Sequence, residues 1–281
     1  MALNIHKQAP LPFVGQKRRF VTTFADLLDS NIPDDGAGYT IVDAFGGSGL
    51  LAHITKRTKP AARVIYNDYD GYTARLAHID DTNRLRRIIG DLTSHLPRNK
   101  PIPPTDREAV RQAIRDFEGY RDLDCLSSWL LFSGKQAPDL DWLLRTDLYN
   151  VVRQSDYPPA GDYLQGLEIT HESYTTLLPQ YVDDPRCLLV LDPPYICTMQ
   201  GAYRKAGYFG MVEFLRLMRL VRPPFIFFSS TRSELPAYLT FIMETQTAGW
   251  ERIAGYQTIT AQVTLNKNSA YEDNLVYKFT P

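Results

Sequence analysis

A short β-branched run, Tyr39-Thr40-Ile41-Val42, passes directly into Asp43-Ala44-Phe45-Gly46-Gly47-Ser48-Gly49 and then into an apolar helix start, Leu50-Leu51-Ala52. Few local patterns restrict a fold as strongly. β-branched residues favour a strand, glycines permit a sharp exit from it, and a helix beginning at once aims its N-terminal amides at whatever sits on the turn. This is the first half of a Rossmann-like unit, so a parallel sheet is expected with a ligand at the carboxyl ends of its strands. The second strand, Val64-Ile65-Tyr66, ends in Asn67-Asp68-Tyr69-Asp70. Asp68 follows the glycines by about twenty residues, as expected of an acid that binds ribose hydroxyls.

The run Gly47-Ser48-Gly49-Leu50-Leu51-Ala52 can also be read as a dinucleotide fingerprint with its permitted final Ala. Asp43 separates the two readings. An acid at that strand tip would repel a pyrophosphate, whereas it can pair with the cationic amino-acid part of S-adenosylmethionine, directly or through water.

A third strand end is chemically marked. The apolar run Cys187-Leu188-Leu189-Val190 reads as a strand buried on both faces and leads into Leu191-Asp192-Pro193-Pro194-Tyr195. Two prolines stiffen the exit and remove two donors, so the carbonyls before them can face a ligand. A carboxylate, a rigid carbonyl and a ring together suit a flat, amino-bearing heterocycle. The plainer alternative is a strand end with a capped turn.

Further strands are expected at Leu167-Glu168-Ile169, at Phe225 to Phe228, around Trp250 to Ile259 and at Leu275 to Phe279. Helices are expected over Val21–Leu28, Met211–Val221 and Glu234–Met243, completing an α/β alternation. Between them the pattern changes. A helix from Tyr72 to Ile89 is followed by the Pro-rich stretch Pro97 to Pro104, then by Thr105-Asp106-Arg107-Glu108, which reads as a capping box, and by a helical stretch over Leu123 to Phe132. An insertion of about ninety residues is far longer than an ordinary crossover, and such insertions at the ligand edge serve either substrate recognition or packing. The expected division is 1–71 with 166–281 as one domain and 72–165 as a mainly helical insertion. The loop after Tyr195, with Gly201, Tyr203, Gly207 and Tyr208, suits movement and base stacking.

Net charge is −1, so no global argument for a polyanion partner exists. Local clusters exist nonetheless: Arg84, Arg86 and Arg87 in the insertion, and Arg204 and Lys205 beyond the central motif, are candidate contacts for a polyanion, with solvated helix faces as the alternative. Three cysteines without a CxxC pair support neither a zinc site nor a disulfide framework, which fits a reducing cytoplasm. No metal is expected. The chain shows no apolar run of membrane-spanning length, and no membrane association is expected.

With these residues in place, the chain resembles the Dam-like (D12 class) DNA adenine-N6 methyltransferases of phage and prophage type. Asp192-Pro193-Pro194-Tyr195 looks like the family's catalytic motif and Asp43 to Gly49 like its cofactor loop; Asn67 to Asp70 is similar to its ribose-binding strand end, and Glu172-Ser173-Tyr174 to the segment that closes over the cofactor's adenine. Asn266 to Tyr277, with Glu272, Asn274 and Tyr277, looks like the last family motif. Pro12-Phe13-Val14-Gly15-Gln16-Lys17 stands where the family has its N-terminal motif, without the usual tryptophan and paired glycines. The resemblance implies a Rossmann-like, S-adenosylmethionine-dependent methyltransferase fold carrying a mainly helical insertion. It implies methyl transfer to adenine N6 of double-stranded DNA at a short or relaxed target, in restriction-modification or in phage protection against it. Asp192, Pro193, Pro194 and Tyr195 would be catalytic. Phe13, Lys17, Asp43, Phe45, Gly47, Gly49, Asp68, Glu172 and Ser173 would bind the cofactor. Adenine in RNA, or a catalytically silent nucleic-acid-binding relative, are the competing expectations.

Overall fold

The computed structural model describes residues 5–196, 209–266 and 269–280. Their order is α1 (Val21–Asn31), β1 (Thr40–Asp43), α2 (Leu50–Thr58), β2 (Arg63–Asn67), α3 (Tyr72–Ala77), α4 (Ile79–Thr93), α5 (Pro104–Asp116), α6 (Leu123–Leu130), α7 (Leu140–Arg145), β3 (Glu168–Thr170), α8 (Tyr174–Leu177), β4 (Cys187–Leu191), α9 (Met211–Leu220), β5 (Phe225–Ser230), α10 (Leu235–Thr245), β6 (Gln257–Asn266) and β7 (Ser269–Lys278). The strands form one sheet in the order β3-β2-β1-β4-β5-β7-β6. β1 to β5 pair in parallel, and β7 lies antiparallel between β5 and β6. This is the expected Rossmann-like α/β arrangement.

Strand periodicity explains how the sheet is covered. Successive side chains point to opposite faces: Ile41, Leu188, Val190, Ile226 and Phe228 pack with α1 and α2 on one face. Val42, Leu189, Leu191, Phe225 and Phe227 pack with α9 and α10 on the other. Both faces are covered, so β4 and β5 are buried at every position.

The strand order decides where a ligand can bind. From β1 the chain proceeds outward to β2 and β3, and from β4 outward to β5, so the direction reverses between the neighbours β1 and β4. A crevice opens at such a switch point beyond the carboxyl ends of the strands. Asp43 ends β1 opposite Val190 of β4, and Asp192 follows β4 directly.

Residues 72–165 are mainly helical and carry a separate apolar cluster that includes Ile89, Val110, Ile114, Trp129, Leu130 and Leu143. Local details differ from the sequence expectation. The helix expected over Tyr72–Ile89 is divided because His78 leaves helical geometry (φ −113°, ψ 26°), its ring stacked on Tyr120 at 4.6 Å. The capping box at Thr105 does not form. Pro104 occupies the first turn, where a missing donor costs nothing, and Glu108 turns to Arg115 at 2.8 Å. Trp250 begins a 3-10 turn rather than a strand, and β6 starts at Gln257. Arg204, Lys205 and the loop of Gly201, Tyr203, Gly207 and Tyr208 lie outside the described residues. Among the described residues no helix is long and apolar enough to cross a membrane.

Candidate active site

The turn after β1 is shaped by what presses against it. A Cβ on Gly46 would overlap the Tyr66 ring, and one on Gly47, already at φ +48°, would come within 2.8 Å of Phe13. The two glycines therefore admit two rings. Tyr66 in turn donates its hydroxyl towards the Gly47 carbonyl (2.8 Å) and Asp68 (3.1 Å). Asp43 lies beneath this turn, 1% exposed, and among the described residues neither of its carboxylate oxygens has a hydrogen-bond partner. Burial, reinforced by the nearby Asp192, pushes its carboxyl up to about 8, against the opposing influence of the Ala52 amide and Lys17. A buried acid without a partner is costly unless something cationic meets it.

The end of β2 is organised by Asn67. Its side-chain amide donates to the carbonyls of Ala44 (2.9 Å) and Glu172 (2.9 Å), while its oxygen accepts from the Glu172 amide (2.9 Å) and the Thr170 hydroxyl. One side chain thus ties together the exits of β1, β2 and β3. Asp68, the expected ribose acid, is held by the chain that follows it. Its carboxylate caps α3, accepting from the amides of Tyr72 (2.6 Å) and Thr73 (2.9 Å), and it is 1% exposed, off the cavity wall. The chain turns into α3 within four residues of Asp68, which brings those amides back onto it. Asp70, two residues on, lines the cavity instead.

At the end of β4, Asp192 forms an ion pair with Lys17 at 2.7 Å. Lys17 also donates to the Gly15 carbonyl (2.9 Å) and stands 5.4 Å from the centre of the Tyr195 ring. Burial raises the Asp192 carboxyl above its ordinary value; Lys17 opposes this, and Asp273 on β7 adds to it. The loop beyond is anchored where the Ile196 amide donates to Glu234 (3.0 Å).

The arm bearing Phe13 and Lys17 is fixed to the insertion. Leu11 exchanges both backbone hydrogen bonds with the Tyr72 hydroxyl (2.9 and 3.1 Å). Arg75 donates to the Pro12 carbonyl (2.8 Å) while held by Asp122 (2.7 Å). Phe13 meets the Tyr72 ring edge-on at 5.8 Å. Residues 13–17 consequently form one wall of a cavity whose other walls include Phe45, Gly47, Asp70, Asp192 and Pro194. A second hollow adjoins it through Phe45, Asn67 and Tyr69 and is closed by Glu172, Ser173, Tyr174 and Phe209. There Phe45, Tyr174 and Phe209 approach one another at 5.5–6.0 Å between ring centres.

The structure therefore gathers Phe13, Lys17, Phe45, Gly47, Asp192 and Pro194 around one cavity and Glu172 and Ser173 around its neighbour. Gly49 caps α2 in a left-handed conformation, φ +71°. Lys17, expected on the cofactor, is paired with Asp192. Asn67, Asp70, Phe209 and Asp273 carried no marked role in the sequence. Asn67, Asp70 and Asp273 belonged to runs already singled out, whereas Phe209 enters only through folding. The insertion arginines are engaged elsewhere. Arg84 pairs with Asp81 (2.8 Å), and Arg86 and Arg87 both pair with Asp156 (2.6 Å each). The combined space suits an elongated ligand with hydroxyls near Asp70 and a flat ring between Phe45, Tyr174 and Phe209.

No family model matches the chain. A protein of Haemophilus influenzae named "Putative methyltransferase" is 50% identical over 274 residues, covering 97% of this chain and 93% of that protein. The crystal structure of precorrin-6y C5,15-methyltransferase from Geobacter metallireducens aligns with 99% of this chain and 94% of its own at 9% identity and a TM-score of 0.37, too slight a likeness to bear on chemistry. With half of its residues identical along nearly the whole length of both proteins, the chain belongs to the methyltransferase family of that Haemophilus influenzae protein.

Proposed function

We propose that the protein is a DNA adenine-N6 methyltransferase that draws its methyl group from S-adenosylmethionine. One observation supports the reading: Asp192 and Pro194 of the Asp192-Pro193-Pro194-Tyr195 motif line the crevice beyond the ends of β1 and β4, and the buried Asp43 at the end of β1 has two carboxylate oxygens without a hydrogen-bond partner among the described residues. That orphaned acid fits the ammonium of the cofactor. Asp70 would take its ribose hydroxyls, and Phe45, Tyr174 and Phe209 would enclose its adenine. When bound, the cofactor supplies an electrophilic methyl group on a sulfonium centre.

The remaining chemistry belongs to the chain. An exocyclic amino nitrogen is a poor nucleophile because its lone pair is shared with the ring. Asp192 and the Pro193 carbonyl would accept its two hydrogens, turning the nitrogen towards tetrahedral geometry and stabilising the positive charge that develops on it. Lys17 opposes the rise that burial imposes on the Asp192 carboxyl, favouring its ionised form. The nitrogen that gains a methyl group sheds one hydrogen, and the Asp192 carboxylate beside it is the first acceptor. Tyr195 would stack on the base, which must leave the duplex at a cost of a few kcal/mol.

Tritium-labelled cofactor incubated separately with duplex DNA, single-stranded DNA and RNA, followed by nucleoside analysis, tests the proposal. Label is expected in duplex DNA on adenine. Label in RNA alone, or in no nucleic acid despite cofactor binding, would refute it.

A further inference from the structure

Between the C-terminal half of α4 and the returning segment at residues 150–154 lies a groove whose walls carry Arg86, Arg87, Arg98 and Arg153, with Asp91 as the single acid lining it. The four guanidiniums are not neutralised equally. Arg86 and Arg87 share one carboxylate, that of Asp156. Arg98 donates to the Val152 carbonyl, and Arg153 donates to the Ser155 carbonyl (2.8 Å) with its guanidinium 4.6 Å from the centre of the Tyr157 ring. Carbonyls and a ring fix these two cations in place without cancelling their charge. Four positive groups against Asp91 and Asp156 leave a local excess of two, on a chain whose total is −1.

The groove is also rigidly built. The amide of Asn99 donates to the Asn150 carbonyl (2.9 Å), that of Asn150 to the Lys100 carbonyl (2.9 Å), and the Asn150 side chain donates to the carbonyls of Thr93 (3.2 Å) and Leu96 (3.1 Å). The two chain segments are thereby locked onto the end of α4. Guanidiniums presented in fixed orientation from a rigid frame match phosphate oxygens and lose little freedom on binding. Cations on both walls of an open groove suit a ligand with repeated charges better than a single small anion.

We infer that this groove binds the phosphodiester backbone of the DNA whose adenine is presented at Asp192, an inference that rests on the DNA reading above. Arg98 and Arg153, rather than Arg84, Arg86 and Arg87, supply its uncompensated charge. Arg84 is set apart, donating to the Glu118 carbonyl (2.8 Å) and lying over the Phe117 ring at 5.0 Å.

Binding of a fluorescent 25-base-pair duplex by the full chain without cofactor, over a salt series, is the test. Each lost phosphate contact lowers the slope of log affinity against log salt by about 0.9, so Arg98→Gln with Arg153→Gln should reduce it by about two and weaken binding roughly tenfold or more at moderate salt. Each single change should give about half that drop in slope. The exposed Arg115→Gln on α5, whose partner is Glu108, should leave the slope unchanged. Melting temperatures establish that each variant is folded. A double variant with the wild-type slope would overturn the inference, as would competition by inorganic phosphate as effective, per phosphate, as by the duplex. A wild-type protein that binds the duplex but transfers no methyl to it would refute the proposed activity and leave the groove standing, whereas failure to bind any duplex would refute both.

Discussion

Replacing Asp43 by Asn should make the ligand-free protein more stable at neutral pH and a poorer binder of a cationic cofactor. The carboxyl is 1% exposed, unpartnered, and raised from 3.8 to about 8. Between those two values the folded state retains a proton that the unfolded state has lost, so stability falls as pH rises, by about 1.4 kcal/mol per unit. At pH 7 the gap from 3.8 is about three units, giving a penalty of up to about 4 kcal/mol. An Asn removes the titration but buries an amide that lacks partners, at about 1–3 kcal/mol. A net gain of roughly 1–3 kcal/mol remains, or about 2–6 °C in melting temperature for a chain of this size. Thermal unfolding of both proteins from pH 4.5 to 8.5 without cofactor is the assay. The difference should grow with pH and vanish or reverse near pH 4.5. S-adenosylmethionine should bind the wild type up to tenfold more tightly per pH unit, levelling near pH 8 with release of a proton, and this dependence should disappear in Asp43→Asn. A melting difference constant across pH would show that Asp43 ionises normally and would refute the reasoning.

Three further outcomes follow from the same geometry. Lys17→Met removes the main group opposing the rise of the Asp192 carboxyl, so the acid limb of the rate profile should move to higher pH, with Lys17→Arg retaining most of the wild-type profile; an unmoved limb with a weakened cofactor KM would return Lys17 to cofactor binding. Asp68→Asn should cost about 1–2 kcal/mol in chemical denaturation by uncapping α3, while Asp70→Ala weakens cofactor binding without that loss; calorimetry giving the reverse pattern would restore Asp68 to the ribose. Arg75→Met leaves the buried Asp122 without its main charge partner and should lose about 3–5 kcal/mol of stability, a loss below 1 kcal/mol being contrary to the account.

Much of the sheet was legible because β4 and β5 are covered on both faces and must be continuously apolar, and because glycines and acids mark the exits of β1, β2 and β4. β6 was misplaced towards Trp250 because its sequence, Gln257 to Asn266, alternates polar residues, mostly threonines, with apolar ones instead of forming an apolar run. The break at His78 carries neither Gly nor Pro; it is imposed by the stacking of His78 on Tyr120, forty-two positions away in the chain. Spacing brought Asp68 to the correct strand end, but the direction of its carboxylate depends on how α3 turns back. The Lys17–Asp192 pair joins residues 175 positions apart in the chain and has no local signature. The arginine cluster at 84–87 was visible as charge, whereas the acids that neutralise it, Asp81 within the same helix and Asp156 across the insertion, become partners only in the folded protein.

The central claim is that Asp192 directs a methyl group onto an adenine amino nitrogen. Its most direct test is a single-turnover reaction with methyl-labelled S-adenosylmethionine and a synthetic duplex, digested to nucleosides and resolved by mass spectrometry, for the wild type and for Asp192→Ala. The account predicts labelled N6-methyl-2′-deoxyadenosine from the wild type and none from Asp192→Ala, with cofactor affinity of the two within a few-fold. Label on cytosine, on protein or on a small molecule, or equal yields from the two proteins, would contradict it.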